Sequence, residues 1–465
     1  MRQNVVAGAV LAFVSIVFLS AAFGDFLYFD DELLILDNPT VHGLTLGNIG
    51  KAFSSYDPEL YIPLTLISHQ IEWSLVGGSP LLYHSTNIVL HLISTLLVFL
   101  IFRRIFTLQL TVLCTLLFAL HPLQVESVAW VSGRKDLLAS MFFLASTYTY
   151  LRRKESGAQK YLSMVLFLCG LLSKVSIFPL PLCLLLLDLV LGERFSRKLL
   201  MEKLPYVVLS ILFLIIAIAG KHVQASNPIA VLLLSPASVL LTLRHIVFPV
   251  GLTIFYPFTE HVTMFNGYIF MSAVILTLLI ACSLILSPHR KSIQCALAWV
   301  LILIAPSLLN MQKGGELGIP DTYLTSDRYS YLAILGPIAL FGYLLGRYWS
   351  VGILVVTALS FVTFRQIGYW HDSEALFGRV ISVGQLSYVA YTNLAGFAAQ
   401  KGNLEEAEIL FERSLVIRRT TTALFNLAQV KAHLEKTDEA RALYRELLLL
   451  TPNDRQAREK FNALH

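Results

Sequence analysis

Between Val5 and Phe364 the chain returns again and again to apolar runs long enough to cross a bilayer as helix, which takes about 20 residues. Inside lipid each segment must satisfy its own backbone hydrogen bonds, so these runs fold as helices rather than open strands. Composition agrees. The chain is 56% hydrophobic and 14% charged, against a charged share of roughly 25% in soluble domains, and its mean hydropathy is +0.69. Soluble globular, disordered, fibrous and disulfide-scaffold classes are excluded. The expected fold class is all-α, a polytopic membrane domain.

Spans are expected near 5–23, 84–102, 106–121, 136–151, 160–174, 175–191, 204–220, 267–287, 292–309, 329–346 and 350–364, about eleven in all. Val5 to Phe23 is too long for the apolar region of a signal peptide and reads as the first of them. Cytoplasmic loops collect Lys and Arg. Putting Arg2, Arg103–Arg104, Arg152–Arg153–Lys154–Lys160, Arg194–Arg197–Lys198–Lys203, Arg290–Lys291 and Arg347 on one face makes the N-terminus cytoplasmic and the C-terminal domain external. Residues 228–250 break this pattern. Counted as a crossing, they put Arg290–Lys291 and Arg347 on the wrong face, and they contain Arg244, His245, Pro236 and Pro249. A re-entrant or interfacial helix pair is expected there.

The first outer loop, 24–83, differs in kind from the inner ones. It carries Asp25, Asp30, Asp31, Glu32, Asp37, Asp57, Glu59 and Glu72 against a single Lys51. Within it Tyr28-Phe29-Asp30-Asp31-Glu32 sits where the first span leaves the membrane. Adjacent carboxylates raise one another's pKa unless a cation or donor faces them. Such a group suits a general base that accepts a hydroxyl proton; a solvated acidic helix cap is the plainer reading. The second outer loop holds His121-Pro122, Glu126, Trp130 and Gly133-Arg134-Lys135-Asp136. Ionisable residues at membrane depth are costly and usually functional. Arg134 and Lys135 either hold the phosphate of a membrane-borne substrate or pair with Glu126 and Asp136 to end the helices. His84, Asn87 and His91 share one face of the second span; an interhelical hydrogen-bond network fits them better than a metal. Lys174 and Asp327-Arg328-Tyr329 lie at span ends, as contacts to an anionic headgroup or as snorkelling anchors.

Other chemistries find no support. There is no Walker motif, no GxGxxG after a strand and no HExxH, and no internal symmetry of the transporter kind. The five cysteines, Cys114, Cys169, Cys183, Cys282 and Cys295, show no CxxC spacing and read as packed thiols. No metal site is expected, and nucleic acid is not an expected partner.

From about Arg365 the apolar runs give way to Glu, Lys, Arg, Ala and Leu at helical spacing, which divides the chain into a membrane domain, 1–364, and a soluble helical domain, 365–465. Two stretches of the latter align at an offset of 33: Asn393-Leu394-Ala395 with Asn426-Leu427-Ala428, Ala407 with Ala440, Phe411 with Tyr444, Leu415 with Leu448. Small residues where paired helices cross, with aromatics filling the gap, mark a tetratricopeptide repeat. Trp370 to Phe377 reads as a leading helix and Asp454 to Leu464 as a capping one. The concave face of such a solenoid commonly binds extended peptide.

An acidic motif after the first span of a membrane domain, followed by external repeats, resembles the transmembrane-and-tetratricopeptide-repeat O-mannosyltransferases and their bacterial relatives, glycosyltransferases of the GT-C superfold. The pieces that carry the resemblance are Asp30-Asp31 with Asn38-Pro39, Tyr61-Ile62-Pro63-Leu64, His84-x-x-Asn87-x-x-x-His91, His121-Pro122 with Glu126, Val131, Gly133-Arg134 and Asp136-Leu137-Leu138, Leu172-Ser173-Lys174, Asp327-Arg328-Tyr329-x-Tyr331 and Trp370. The resemblance implies transfer of a hexose, mannose by family, from a polyprenyl-phosphate carrier to Ser or Thr of a protein on the non-cytoplasmic face. It makes Asp30 or Asp31 the base, with Asp30 favoured because Phe29 precedes it. Arg134, Lys174 and Arg328 become the candidates for the carrier phosphate, and Glu32, His84, His121, Glu126 and Lys135 for sugar or acceptor. The donor is the implied polyprenyl-phosphate sugar, and a protein or peptide acceptor on the repeats is the implied partner. A glycosyltransferase acting on lipid-linked glycan or envelope polymer is the alternative, and a repeat-displaying scaffold without catalysis the third reading. The expected location is a bacterial inner membrane with periplasmic repeats, the alternative an endoplasmic reticulum membrane with lumenal ones.

Overall fold

The computed structural model describes residues 2–57, 59–220, 227–285, 289–316, 320–345 and 348–464. Arg347, counted above among the anchoring cations, lies outside them. The described chain is almost entirely helical and divides into two compact units. Met1–Leu252, Val262–Met311 and Thr325–Ser373 form the first; Thr253–His261, Gln312–Leu324 and Glu374–His465 form the second.

The first unit contains sixteen α-helices among its described residues. They are α1 (Arg2–Phe18), α2 (Leu46–Ser54), α3 (Pro63–Val76), α4 (Pro80–Phe102), α5 (Leu108–Ala119), α6 (Val125–Ala129), α7 (Arg134–Leu151), α8 (Gly157–Ser173), α9 (Leu180–Val190), α10 (Arg197–Ala219), α11 (Pro228–Val247), α12 (Gly267–Ile285), α13 (Arg290–Leu308), α14 (Ser330–Ala333), α15 (Leu335–Leu345) and α16 (Trp349–Gly368). Every span expected from the sequence coincides with one of these helices or a broken pair of them. Among the described residues seven helices are long and apolar enough to cross a membrane. An eighth crossing is added if α5 and the short run Pro122–Ala129, bent by 50° from it, count as one, and three shorter apolar helices accompany them.

Residues 228–247 form one helix where a pair was expected. Pro228 opens α11 as a first-turn residue, and Pro236 is absorbed inside it. Membrane helices tolerate such prolines because neighbouring groups take up the freed carbonyl. The helix is long and apolar enough to cross. The break in the pattern falls at Leu120–His121 instead, where α5 ends and the chain bends.

Burial follows the polar stripe on α4. His84, Asn87, His91, Ser94 and Thr95 are all buried, and α4 packs against α1, α5 and α7. His91 bonds the Tyr331 hydroxyl at 2.8 Å and the Ala119 carbonyl at 3.0 Å, and Asn87 donates to the Trp130 carbonyl at 2.8 Å. A polar face on a membrane helix is stable only against other helices, so this stripe fixes which side of α4 faces inward. Apolar side chains on α10 and α12 instead point outward, Ile285 being 75% exposed, as lipid-facing surface requires. Of the five thiols, Cys114 and Cys183 are buried, whereas Cys282 is exposed on α12.

The second unit holds α17 (Ser373–Ser382) from its second residue on, with α18 (Tyr388–Gln400), α19 (Leu404–Ile417), α20 (Thr421–His433), α21 (Thr437–Leu450) and α22 (Arg455–Ala463). Ala395, Ala407, Phe411, Leu415, Ala428 and Tyr444 all lie in its core, and Ala440 is buried as well. These are the small and aromatic positions read from the offset of 33. Two segments that lie between membrane helices in sequence join this unit. β1 (Gln312–Lys313) pairs antiparallel with β2 (Asp321–Thr322), and Phe258 donates its amide to the Thr322 carbonyl. Asp321 then accepts from the Tyr388 hydroxyl at 2.7 Å and from Arg418, while Glu316 accepts the Thr421 amide and hydroxyl at the start of α20.

The two repeats turn in the same way with different residues. Gly402 ends the first turn at φ +83°, and Glu435, 33 positions later, does the same at φ 60°. The left-handed region costs a residue with a Cβ roughly 1–2 kcal/mol. Glu435→Gly is therefore expected to stabilise the repeat unit by about 1 kcal/mol, read as increased hydrogen-exchange protection of α20 and α21 in the full chain. Unchanged or weaker protection would show that the turn carries no strain.

Candidate active site

The acidic motif and the Gly133 corner meet. After α1 the chain runs in a short 3-10 turn to Gly24, then irregularly to Phe29, and winds into a π turn over Glu32–Leu36. Asp31 is fully buried at this bend. One of its oxygens accepts the Leu27 amide at 2.9 Å; the other accepts the Ser132 amide at 2.8 Å and the Ser132 hydroxyl at 2.5 Å. Burial pushes its carboxyl up to about 6, against the opposing pull of these hydrogen bonds. Asp30 faces the other way: its side chain is 37% exposed and its carboxylate lies 3.5 Å from Lys135 Nζ. The two neighbours thus differ in kind, one an internal latch and the other an open carboxylate.

Ser132 reaches Asp31 because the chain turns tightly before α7. Gly133 sits where a Cβ would stand 2.5 Å from the Ser127 carbonyl oxygen, closer than any side chain allows. From this turn α7 starts with three charged residues on three different bearings. Arg134 is wholly buried: it donates to Glu72 at 2.9 Å, to the Tyr83 carbonyl at 2.8 Å, to Ser68 at 3.3 Å and to Asn87. Burial raises the Glu72 carboxyl, but the His69 hydrogen bond and the Arg134 charge outweigh it and hold the group at about 2. Lys135 turns to Asp30 and lies over the Trp130 ring at 5.2 Å. Asp136 accepts from Lys174 Nζ at 2.6 Å through one oxygen, and its other oxygen is buried without a hydrogen-bond partner among the described residues.

Arg328 completes the group. It stands 5.3 Å over the Trp130 ring and 5.1 Å from the Tyr329 ring, pairs with Glu126, and donates its backbone amide to Glu126 at 3.1 Å. Lys174, in the break between α8 and α9, lies 5.6 Å from the same Tyr329 ring. Lys135, Lys174 and Arg328 therefore surround Trp130 and Tyr329, each matched to a different carboxylate. Such a cluster can bind an anion through donors left over from its internal pairs.

The remaining candidates lie elsewhere. Arg134 is turned into the protein away from this group. His84 bonds the Asp25 carbonyl at 3.3 Å at the root of the acidic loop. His121 bonds the Ile246 carbonyl at 3.1 Å and accepts the Leu123 amide at 3.2 Å, capping the turn before α6. Glu32 is half-buried in the first turn after Asp31, with Tyr28 as its side-chain partner. Glu72 and Ser132 carry no signal of their own in the sequence, and Asp136, expected as a partner of Arg134 or Lys135, pairs with Lys174 instead. Glu72 was one carboxylate among eight, marked only by His69 one turn earlier. Among the described residues no group of His, Cys, Asp and Glu could hold a metal ion.

Comparison with known proteins follows the same division of the chain. Residues 71–219 match the model of the dolichyl-phosphate-mannose-protein mannosyltransferase family, and 389–422 and 421–454 each match a tetratricopeptide-repeat model. The mouse protein O-mannosyl-transferase TMTC4 is 34% identical over 175 residues, which is 32% of this chain and 24% of that protein. The Caenorhabditis elegans protein O-mannosyl-transferase F38B6.6 is 23% identical over 420 residues, 84% of this chain and 59% of that protein. Human TMTC3 is 33% identical over 134 residues, 27% and 15% respectively. The matched stretches span less than two thirds of each of these relatives. The chain is similar to the protein O-mannosyl-transferases with tetratricopeptide repeats, as the order of its motifs implied.

Two outcomes follow from the geometry. Removing one partner of a buried ion pair costs about 3–5 kcal/mol, so Glu72→Gln should lower the thermal midpoint strongly, and pairing it with Arg134→Met should recover part of the loss; an unchanged midpoint in Glu72→Gln would dismiss the pair as structural. Asp31 has a folded pKa of about 6 above its ordinary 3.8. The folded state therefore binds the proton more tightly, and stability falls as pH rises from about 4 to about 6, by the order of 3 kcal/mol. Asp31→Asn should flatten that slope in a series of melting curves.

Proposed function

Taking the kinship with the protein O-mannosyl-transferases as premise, we propose that this chain is an integral-membrane glycosyltransferase. On this reading it moves a hexose, mannose by family, from a polyprenyl-phosphate carrier to Ser or Thr hydroxyls of proteins on the non-cytoplasmic face. In a bacterial inner membrane that face is periplasmic, and the repeats lie there with the acceptor. The observation that carries the reading is the open carboxylate of Asp30 beside three cations, Lys135, Lys174 and Arg328, gathered around two aromatic rings.

Asp30 takes the proton of the acceptor hydroxyl as its oxygen attacks the anomeric carbon of the sugar. The bond from that carbon to the phosphate oxygen breaks, and its electron pair leaves with the polyprenyl phosphate. Lys135, Lys174 and Arg328 bind the leaving group as its charge grows, which is where fixed cations in a partly dry site contribute most. Lys174 and Arg328 keep the role expected of them; Lys135 takes the place expected of Arg134, whose donors are spent on Glu72, Asn87, Ser68 and Tyr83. Asp31 positions Asp30 by anchoring the bend to Ser132. Glu126 orients Arg328, and His84 and His121 brace the walls. Glu32 stays at the loop rim, where an acceptor enters.

The test is transfer of label from radiolabelled polyprenyl-phosphate mannose to a protein acceptor extract by the full chain in detergent. General-base catalysis contributes about 10²–10⁴-fold, so Asp30→Asn should lose transfer by that factor with folding intact. Asp31→Asn should retain a larger share, and Arg328→Gln and Lys174→Gln should lose most of it. Normal transfer by Asp30→Asn would remove the assigned base. Label appearing in lipid-linked glycan rather than protein would move the acceptor to the alternative reading.

A further inference from the structure

Trp130 has a second neighbour besides the cations. Its ring lies 6.1 Å from that of Trp370, which is almost fully buried, and beyond Trp370 opens a cavity of about 240 Å3. The cavity lies wholly within the first unit, between the 3-10 turn that extends α1, Ala129 of α6 and the C-terminal end of α16. Its walls include Ala21, Gly24, Ala129, Ile367, Gly368 and Trp370. It exists because small residues fall where two helices meet: a Cβ built on Gly368 would have no atom within 4 Å. Apolar cavities of roughly 150 Å3 already stay dry and accept apolar guests.

The surroundings identify the guest. Two of its walls belong to helices long and apolar enough to cross a membrane. Phe364 on the cavity wall is 55% exposed, and Phe23 and Phe361 on the same two helical segments are each 64% exposed, apolar surface of the kind a bilayer covers. On the cavity wall Arg365 is exposed and has no carboxylate partner among the described residues. An apolar recess open to the bilayer, with one uncompensated cation at the end of a span, matches a molecule with a hydrocarbon tail and an anionic phosphate. The carrier of the proposed reaction has both, but its phosphate belongs with Lys135, Lys174 and Arg328 on the other side of the Trp130–Trp370 pair. We propose that this cavity is a resident-lipid site, holding an acyl segment of an anionic phospholipid whose phosphate is bound by Arg365. The lipid then packs on Trp370, which packs on Trp130, and so supports the wall of the cation cluster from behind.

The site rests on the membrane reading, the choice of a phospholipid over the carrier rests on the transfer reading, and the test needs no activity. The full chain is reconstituted in phosphatidylcholine nanodiscs containing brominated phosphatidylglycerol or brominated phosphatidylcholine, and tryptophan quenching is followed. The Trp370 share is the difference from Trp370→Phe. Brominated phosphatidylglycerol should quench that share at a several-fold lower mole fraction than brominated phosphatidylcholine. Arg365→Gln, at an exposed position, should abolish the preference and leave quenching itself. Gly368→Leu, which fills the open space, should reduce quenching by both lipids. Equal quenching by the two lipids in the wild type, or an unchanged response in Gly368→Leu, would overturn the site. Release of brominated phosphatidylglycerol by traces of polyprenyl phosphate, but not by excess unlabelled phosphatidylglycerol, would overturn the phospholipid and install the carrier.

Discussion

The buried guanidinium of Arg134 is the point on which the site depends. A charge taken out of water costs several kcal/mol unless its hydrogen bonds are nearly all made. Arg134 meets that condition by drawing α3, α4 and α7 together through Glu72, Ser68, the Tyr83 carbonyl and Asn87. Once it is fixed, its chain neighbours have no freedom left. Ser132 before it must face Asp31, Gly133 must pass against the Ser127 carbonyl, Lys135 must face Asp30, and Asp136 must face Lys174. Five consecutive residues thus set the geometry of both the acidic loop and the cation cluster. The opposite end of α7 is tied in the same manner, where Asp188 accepts from the Tyr150 hydroxyl at 2.6 Å, from Arg153 at 2.8 Å and from Lys203 at 2.6 Å.

This corner also explains how far the sequence could be read. Apolar runs and the offset of 33 report local geometry, so they disclosed the helices and the paired repeats before any contact was known. The acidic motif and the Gly133-Arg134-Lys135-Asp136 stretch stood out because charge near a membrane is rare. Which member of each stretch faces inward was another matter. Successive helix residues point about 100° apart, so Arg134 and Lys135 exchange roles with a small rotation of α7, and only the partners on α3 and α4 fix it. Asp30 and Asp31 pose the same problem: the burial of one is decided by Ser132, 101 positions away. The entry of 253–261 and 312–324 into the repeat unit is likewise invisible in sequence, since it rests on Glu316 and Asp321 meeting residues about a hundred positions later.

The charges of the site give the proposed chemistry its direction. Asp30, Asp136 and Glu126 balance Lys135, Lys174 and Arg328, so the cluster is formally neutral before substrate arrives. In the reaction negative charge leaves the site at Asp30, which becomes protonated, and arrives at the phosphate, which gains the electron pair of the broken bond. A cation held tightly by a permanent partner cannot follow that movement. Lys174 is so held by Asp136 at 2.6 Å and Arg328 by Glu126 in a charge-assisted contact, whereas Lys135 meets Asp30 at only 3.5 Å. In the proposed step, protonation of Asp30 would end its hold on Lys135 and free the ammonium for the phosphate. On the proposed reading Lys174 and Arg328 meet the growing phosphate charge from fixed positions, while Lys135 adds an interaction that strengthens as the proton moves to Asp30. That strengthening is the kind of interaction that accelerates a chemical step rather than merely tightening binding.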